Sequence, residues 1–206
     1  FRPRLWILIM RTEITAADII PPAQFAVERA QRRAALLPKK KLRRVDVGPY
    51  CTFYFESFET MLFQIQEMLH IEGGGEGQLQ DELNAYNPLV PKGDELTATI
   101  MFEIDDPDRR ARVLGALGGV EAHFFIRVGD ALIRGQQETD TERTNEAGKA
   151  SSVHFAHFHF TPAQIAALKA PSLQALVGCD HPQYAHMAML SPGSRQELAA
   201  DFAAQN

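Results

Sequence analysis

The sequence predicts an α+β fold: a single domain with a mainly antiparallel sheet and helices packed against it. Three observations carry that expectation. Leu96 to Ile104 alternates strictly, with Leu96, Ala98, Ile100, Phe102 and Ile104 on one face and Thr97, Thr99, Met101 and Glu103 on the other, the period of a half-buried strand. Phe58, Met61, Leu62, Ile65, Met68 and Leu69 recur at the spacing of one helical face. The other strand-like runs come as consecutive hairpins, without the regular β-α-β alternation that a parallel sheet requires.

At 206 residues, 45% hydrophobic and 23% charged, the chain is long enough for one sizeable core. Its two cysteines, Cys51 and Cys179, fit no paired metal-ligand or redox spacing, which argues against a disulfide framework and for a reducing, cytoplasmic setting. The apolar run near the amino terminus is too short to span a bilayer and no cleavage site follows it. Residues 1–9 are expected to be a non-native or disordered extension, with Met10 as an alternative start and the domain occupying 10–206. The net charge of −5 conceals a gradient: residues 1–44 carry +8 and the remainder −13. A basic end of this kind suits an anion or nucleic-acid contact, a solvated face, or an internal electrostatic match.

In order along the chain, Thr15-Ala-Ala-Asp18 resembles a capping box opening a short turn that Pro21-Pro22 ends. A helix is expected from Pro22 to about Leu37, with Ala26, Ala30 and Ala34 every fourth residue, a Glu28–Arg32 pair, and Arg29 and Arg33 on another face. Pro38 should stop it, leaving Lys39 to Arg44 as a basic loop. Val45 to Ser57 reads as two strands bent at Gly48-Pro49, with Cys51, Phe53 and Phe55 sharing a face opposite Tyr50, Thr52, Tyr54 and Glu56. The helix from Phe58 to Glu72 follows. Gly73 to Gly77 lacks the Gly-Lys-Ser/Thr that a phosphate-cradling loop needs, so it is expected to be a flexible connector. Gln78 to Tyr86 is a short helix stopped by Asn87-Pro88.

After the Leu96 strand, Asp106-Pro107 caps a helix to about Leu117, and Gly129-Asp130 turns a hairpin between Ala122–Val128 and Ala131–Gln136. Residues 137–150 are almost wholly polar and predict a loop. Ser151 to Pro162 crowds aromatic residues and three histidines into one strand, with Val153, Phe155, His157 and His159 on one face and His154, Ala156, Phe158 and Phe160 on the other. Thr161-Pro162 opens a short helix. Leu173–Cys179 and Ala185–Leu190 predict a hairpin whose tip holds Asp180 to Tyr184, and Ser191-Pro192 opens a terminal helix with Leu198 and Phe202 inward.

Several stretches invite chemistry. His157 and His159 project to the same side of a strand, as paired metal ligands do; with His186, or with Asp180 or Glu67, as a third ligand they would hold Fe, Zn or Mn. No acid follows the pair closely, and stacking on Phe is the plainer reading. Glu67 and His70 have the Glu-x-x-His spacing of carboxylate-bridged di-iron bundles, but the second copy is missing. Lys39 to Arg44 suits phosphate, yet no aromatic platform interleaves it, which disfavours nucleic acid. Asp180 beside His181, with His154, offers an acid–base or anion-binding grouping, without any nucleophile elbow.

Five segments in fixed order resemble a bacterial family, the domain of unknown function 3501 family. They are the basic run into Val45-Asp-Val-Gly-Pro49, Ile65-Gln-Glu-Met-Leu69, Ala85-Tyr-Asn-Pro-Leu89, Ser151-Ser-Val-His-Phe155 and Asp180-His-Pro-Gln-Tyr184, spread over about residues 11–190. Glu67, Asn87, His154, Asp180, His181 and Tyr184 fall inside those motifs, whereas His157 and His159 lie outside them. The family carries no assigned activity. The resemblance implies an accessory or ligand-binding protein beside rubrerythrin-like or iron–sulfur oxidoreductase proteins, with Glu67, His154, Asp180, His181 and Tyr184 as the candidate ligand-binding set. The alternatives are a metal-dependent enzyme using the histidine strand and nucleic-acid binding through residues 39–44.

Overall fold

Two antiparallel sheets packed face to face form the centre of the computed structural model, which describes residues 11–73, 77–137 and 149–203. The expected extension at 1–9, most of the glycine connector and most of the polar loop at 137–150 lie outside those residues. Helix α1 (Pro22–Leu42) leads into β1 (Arg44–Val47) and β2 (Cys51–Phe55); α2 (Phe58–Glu72) and α3 (Gln78–Tyr86) precede β3 (Glu95–Phe102) and α4 (Pro107–Gly115). Then come β4 (Phe124–Val128), β5 (Ala131–Arg134), β6 (Gln136–Gln137), β7 (Val153–His159), α5 (Pro162–Lys169), β8 (Ala175–His181), β9 (Tyr184–Met189) and α6 (Pro192–Ala199). The first sheet has the order β1-β2-β3-β7-β6 and the second β5-β4-β8-β9, every pair antiparallel. The α+β architecture expected from the alternating runs is the one found.

Alternation decides what each sheet buries. Cys51, Phe53, Phe55, Leu96, Ala98, Ile100, Phe102, Ala156 and Phe158 face inward from the first sheet, against Phe124, Ile126, Val177 and Cys179 of the second. Phe53 stands edge-on to Phe124, 5.6 Å between ring centres. Each fully buried Phe, Leu, Ile or Val among them contributes on the order of 1.5–3 kcal/mol. Cys51 and Cys179 are free, buried thiols. Burial pushes both upward, Cys179 to about 11, so they stay protonated near neutral pH as core residues.

A second, smaller core lies on the outer face of the first sheet, where Met61, Ile65, Leu83, Leu89 and Val90 pack with Ile14 and, at the sheet, Phe155. The Ser57 side chain accepts from the Thr60 backbone to cap α2, whose apolar period aims at this layer. Asn87 fixes the entering chain by receiving the Ile14 N–H at 2.7 Å and donating to the Ile14 carbonyl at 2.8 Å.

Two expectations are corrected. Helix α1 does not stop at Pro38 but continues to Leu42. The proline removes one N–H bond to the Ala34 carbonyl, but that turn is exposed and water can replace it. Beyond it Lys39 pairs with Glu59 at 2.6 Å and Arg43 is drawn inward, which holds the last turn in place. Lys39 to Arg44 is therefore a helix end followed by the start of β1, not a loop, and its lysines lie where a helix dipole favours cations. The last hairpin is also tighter than its sequence suggests: β8 runs on through Asp180 and His181, His181 pairs with Tyr184, and only Pro182 and Gln183 turn.

Tyr184 fastens the two sheets where β9 meets β1. Its hydroxyl donates to the Val47 carbonyl at 2.7 Å and accepts from the backbone N–H groups of Tyr50 and Cys51, each at 2.9 Å. Gly48 makes the approach possible: at φ +69° a side chain is strained, and a Cβ would lie 2.5 Å from the His186 ring. Tyr184→Phe strands two amide donors at this closure and should cost about 2–4 kcal/mol in urea denaturation, given roughly 1–3 kcal/mol per buried unsatisfied group. An unchanged midpoint contradicts this role.

Candidate functional site

The residues singled out in the sequence do not share one pocket. Glu67 lies between α1 and α2, where Arg29 donates to both carboxylate oxygens at 2.7 and 2.6 Å and holds the carboxyl below its ordinary range. His154 is enclosed between the sheets, edge-on to Phe102 and Phe124, with Nε2 at 2.9 Å from the Ser151 carbonyl. Asp180 sits on the outer face of the second sheet; Arg134 grips it at 2.9 and 2.6 Å and His123 Nδ1 lies at 2.9 Å, which keeps its carboxyl at about 2. His181, one residue on, is buried with its ring edge-on to that same His123 at 5.0 Å, and Gln183 N donates to its Nδ1 at 3.2 Å. Tyr184 is the inter-sheet fastener. The expected convergence of these five is thus corrected: Asp180 and His181 meet through the His123 ring, 5.0 Å from that of His181, and His154 and Tyr184 both pack on Phe102 between the sheets, while Glu67 lies away from all four in the helix layer.

The proposed metal set separates in the same way. His157 and His159 do share the outer face of β7, their rings stacked 6.3 Å apart, with Glu95 Oε2 at 2.9 Å from His157 Nδ1 and 3.7 Å from His159 Nδ1. His186, however, lies in the other sheet against the Tyr184 ring at 4.6 Å. Among the described residues no group of three or more His, Cys, Asp or Glu side chains is arranged to hold a metal ion.

A different place has the character of a site. On the outer face of the first sheet, strand register sets two rows across β2, β3 and β7: Tyr54–Thr99–Phe155 and Thr52–Met101–Val153. Tyr54, Thr99, Phe155, Met101 and Val153 floor a hollow of about 330 Å3, walled by Met61 and Gln64 of α2 with Tyr86 and Leu89. That volume and mostly apolar lining are those of small-molecule sites. At one end is Glu56, between the last residue of β2 and the cap of α2, with only 9% of its surface exposed. Its carboxylate accepts hydrogen bonds from the hydroxyls of Thr60 at 2.6 Å and Thr99 at 2.8 Å.

Burial raises the Glu56 pKa, and the two hydroxyls with the charges of Lys40 and Arg43 pull it only part of the way back. Arg43 donates to the Glu56 backbone carbonyl at 2.8 Å, while its charge goes to Asp201 at 2.8 and 2.5 Å and to Glu197 at 2.9 Å. Tyr54 is fixed at the edge by donating to Glu103 at 2.8 Å, and burial with that carboxylate pushes its hydroxyl up to about 12. Larger hollows beside α6 and beside Thr12 have no comparably buried acid among their lining residues.

Sequence alternation places Glu56 on the same face as Tyr54, and Phe155 on the same side as Val153. The missing signal was pairing: no local pattern tells which strand lies beside β2, so the row Tyr54–Thr99–Phe155 could not be drawn. The histidines that stand out in the sequence are dispersed in the fold, with His154 between the sheets, His157 and His159 on the outer side of β7, and His186 against Tyr184.

A family described as "Protein of unknown function (DUF3501)" matches residues 13–202. Among solved structures, a crystal structure of a novel protein of unknown function from Burkholderia pseudomallei K96243 is similar at 38% identity and a TM-score of 0.84, covering 92% of this chain and 98% of that one. No curated protein matches.

The position of Glu56 yields a stability test. A glutamate whose pKa is raised by folding is ionised at a cost above that pKa, and the cost vanishes as the group protonates. Glu56→Gln should therefore stabilise the ligand-free protein at pH 8, and the difference from wild type should shrink toward zero as the pH falls to the ordinary glutamate range. Paired urea denaturation series check this; a variant less stable at pH 8 than at pH 5, relative to wild type, contradicts it.

Proposed function

The chain belongs to the DUF3501 family, and we propose that it acts as a ligand-binding accessory protein whose site is the Glu56 hollow, taking a small molecule with a largely apolar body. The observation that carries this reading is a buried carboxyl at the end of an otherwise apolar, aromatic-lined space. A carboxyl in such a setting costs folding free energy, so a hollow kept for packing alone would be better served by an apolar side chain. The hollow is partly open, has a rigid sheet floor, and presents a single polar end that would fix a ligand's orientation.

Two further parts of the reading rest on the family resemblance and on cysteine usage. The liganded protein would work beside rubrerythrin-like or iron–sulfur oxidoreductase proteins; co-purification under oxidising and reducing conditions tests this, and recovery of neither class counts against it. A cytoplasmic setting agrees with two free, buried thiols, and among the described residues no helix is long and apolar enough to cross a membrane. Recovery in a membrane or periplasmic fraction overturns that placement.

The methionines give a direct probe of the site. Met61 and Met101 line the hollow, whereas Met187 and Met189 are exposed on β9 of the other sheet. With 13C-methyl methionine, a panel of fragment-sized apolar molecules should include members that shift Met61 and Met101 and leave Met187 and Met189 in place. If no fragment does so, or if all four methyls move together, the hollow is not the binding site.

A further inference from the structure

Building on that reading, we infer that the ligand of the Glu56 hollow is an organic ammonium, a small amine with an apolar or aromatic body, whose cationic end meets the Glu56 carboxylate. The charge arrangement around the buried end leads to this class. Four carboxylates, Glu56, Glu59, Glu197 and Asp201, face three cations, Lys39, Lys40 and Arg43. Arg43 is committed to Asp201 and Glu197, and Lys39 to Glu59, at 2.6 Å, and more loosely to Glu197, at 3.7 Å. Glu56 itself is met by two neutral hydroxyls. Lys40 lines the hollow too, but its side chain is exposed, so water screens its charge far more than that of the buried carboxylate.

The other ligand classes fit less well. An anion drawn in by Lys40 would be forced against Glu56 in a poorly screened space. A neutral molecule would displace water from the carboxylate without compensating it, which costs free energy. A bare divalent metal would find one carboxylate and two hydroxyls, short of the six or more oxygens that hard cations need. An ammonium supplies the missing charge and three donors, while Tyr54, Tyr86 and Phe155 provide the aromatic surface that attracts cations. Where Glu56 is protonated in the free protein, binding releases that proton to solvent as the ammonium takes its place. Affinity therefore rises with pH until the ligand's own amine loses its charge.

The test uses the full-length protein with 13C-methyl methionine at pH 8 and three probes of similar shape: phenethylamine, 2-phenylethanol and phenylacetate. Phenethylamine should shift Met61 and Met101 and bind at least about tenfold more tightly than 2-phenylethanol, the factor that one extra charge-assisted contact supplies. Glu56→Gln should abolish that preference while leaving 2-phenylethanol binding in place, and the exposed Lys40→Gln, independent of any folding defect at Glu56, should strengthen the amine. Equal binding of amine and alcohol, or a preference for phenylacetate, overturns the ammonium assignment while leaving the hollow as a site. Failure of all three probes to move Met61 and Met101 overturns both.

Discussion

Burial of the Arg43 guanidinium is the interaction on which the arrangement depends. Only 2% exposed, it joins the end of α1, the Glu56 carbonyl at the β2–α2 junction, and the Glu197 and Asp201 carboxylates at the carboxyl-terminal helix. A buried cation must be matched closely, and breaking such a pair costs on the order of 3–5 kcal/mol, whereas an exposed i,i+4 pair such as Glu28–Arg32 is screened by water and holds little in place. Arg43 thus consumes the two carboxylates nearest it and is itself consumed. Glu56, a short distance away, is left to the hollow.

The same three strands serve two purposes because side chains alternate. The inner faces of β2, β3 and β7 supply the phenylalanine core that sets their spacing, and their outer faces supply the Tyr54–Thr99–Phe155 row. A one-residue slip of β3 would bury Thr99 and expose Ile100, at a cost the core does not tolerate. The floor of the hollow is therefore as rigid as the core beneath it. Its wall is the α2–α3 layer, which is held to α1 by the Arg29–Glu67 pair and to the incoming chain by Asn87.

Much of the fold was legible because periodicity is a local property. The α2 boundaries, the faces of β2, β3 and β7, and the capped starts of α4, α5 and α6 all follow from residues close in sequence. Pro38 misled because its usual effect is local, whereas the contacts that carry α1 past it, Lys39 with Glu59 and Arg43 with Asp201, join residues far apart in sequence. Asp180-His-Pro predicts a hairpin tip for a similar reason: turn formers are a local signal, and the pairing that extends β8 through His181 is not. The site was the least legible part. Histidines attract attention in a sequence, but His154 is core, Asp180 is taken up by Arg134 and His123, and Glu67 is neutralised by Arg29. Glu56 carries no motif, and its character comes from burial, which depends on the packing of α2 over a sheet assembled from distant segments.

Glu56 is a buried carboxyl whose hydrogen-bond partners are two neutral hydroxyls. Carboxyl 13C NMR of glutamate-labelled protein, titrated with and without Glu56→Gln to assign the signal, measures this directly. The account predicts a single glutamate signal, lost in the variant, that titrates above the ordinary glutamate range in the ligand-free protein. A midpoint at or below that range would mean that a cation already neutralises Glu56, and the hollow would hold no unmet charge.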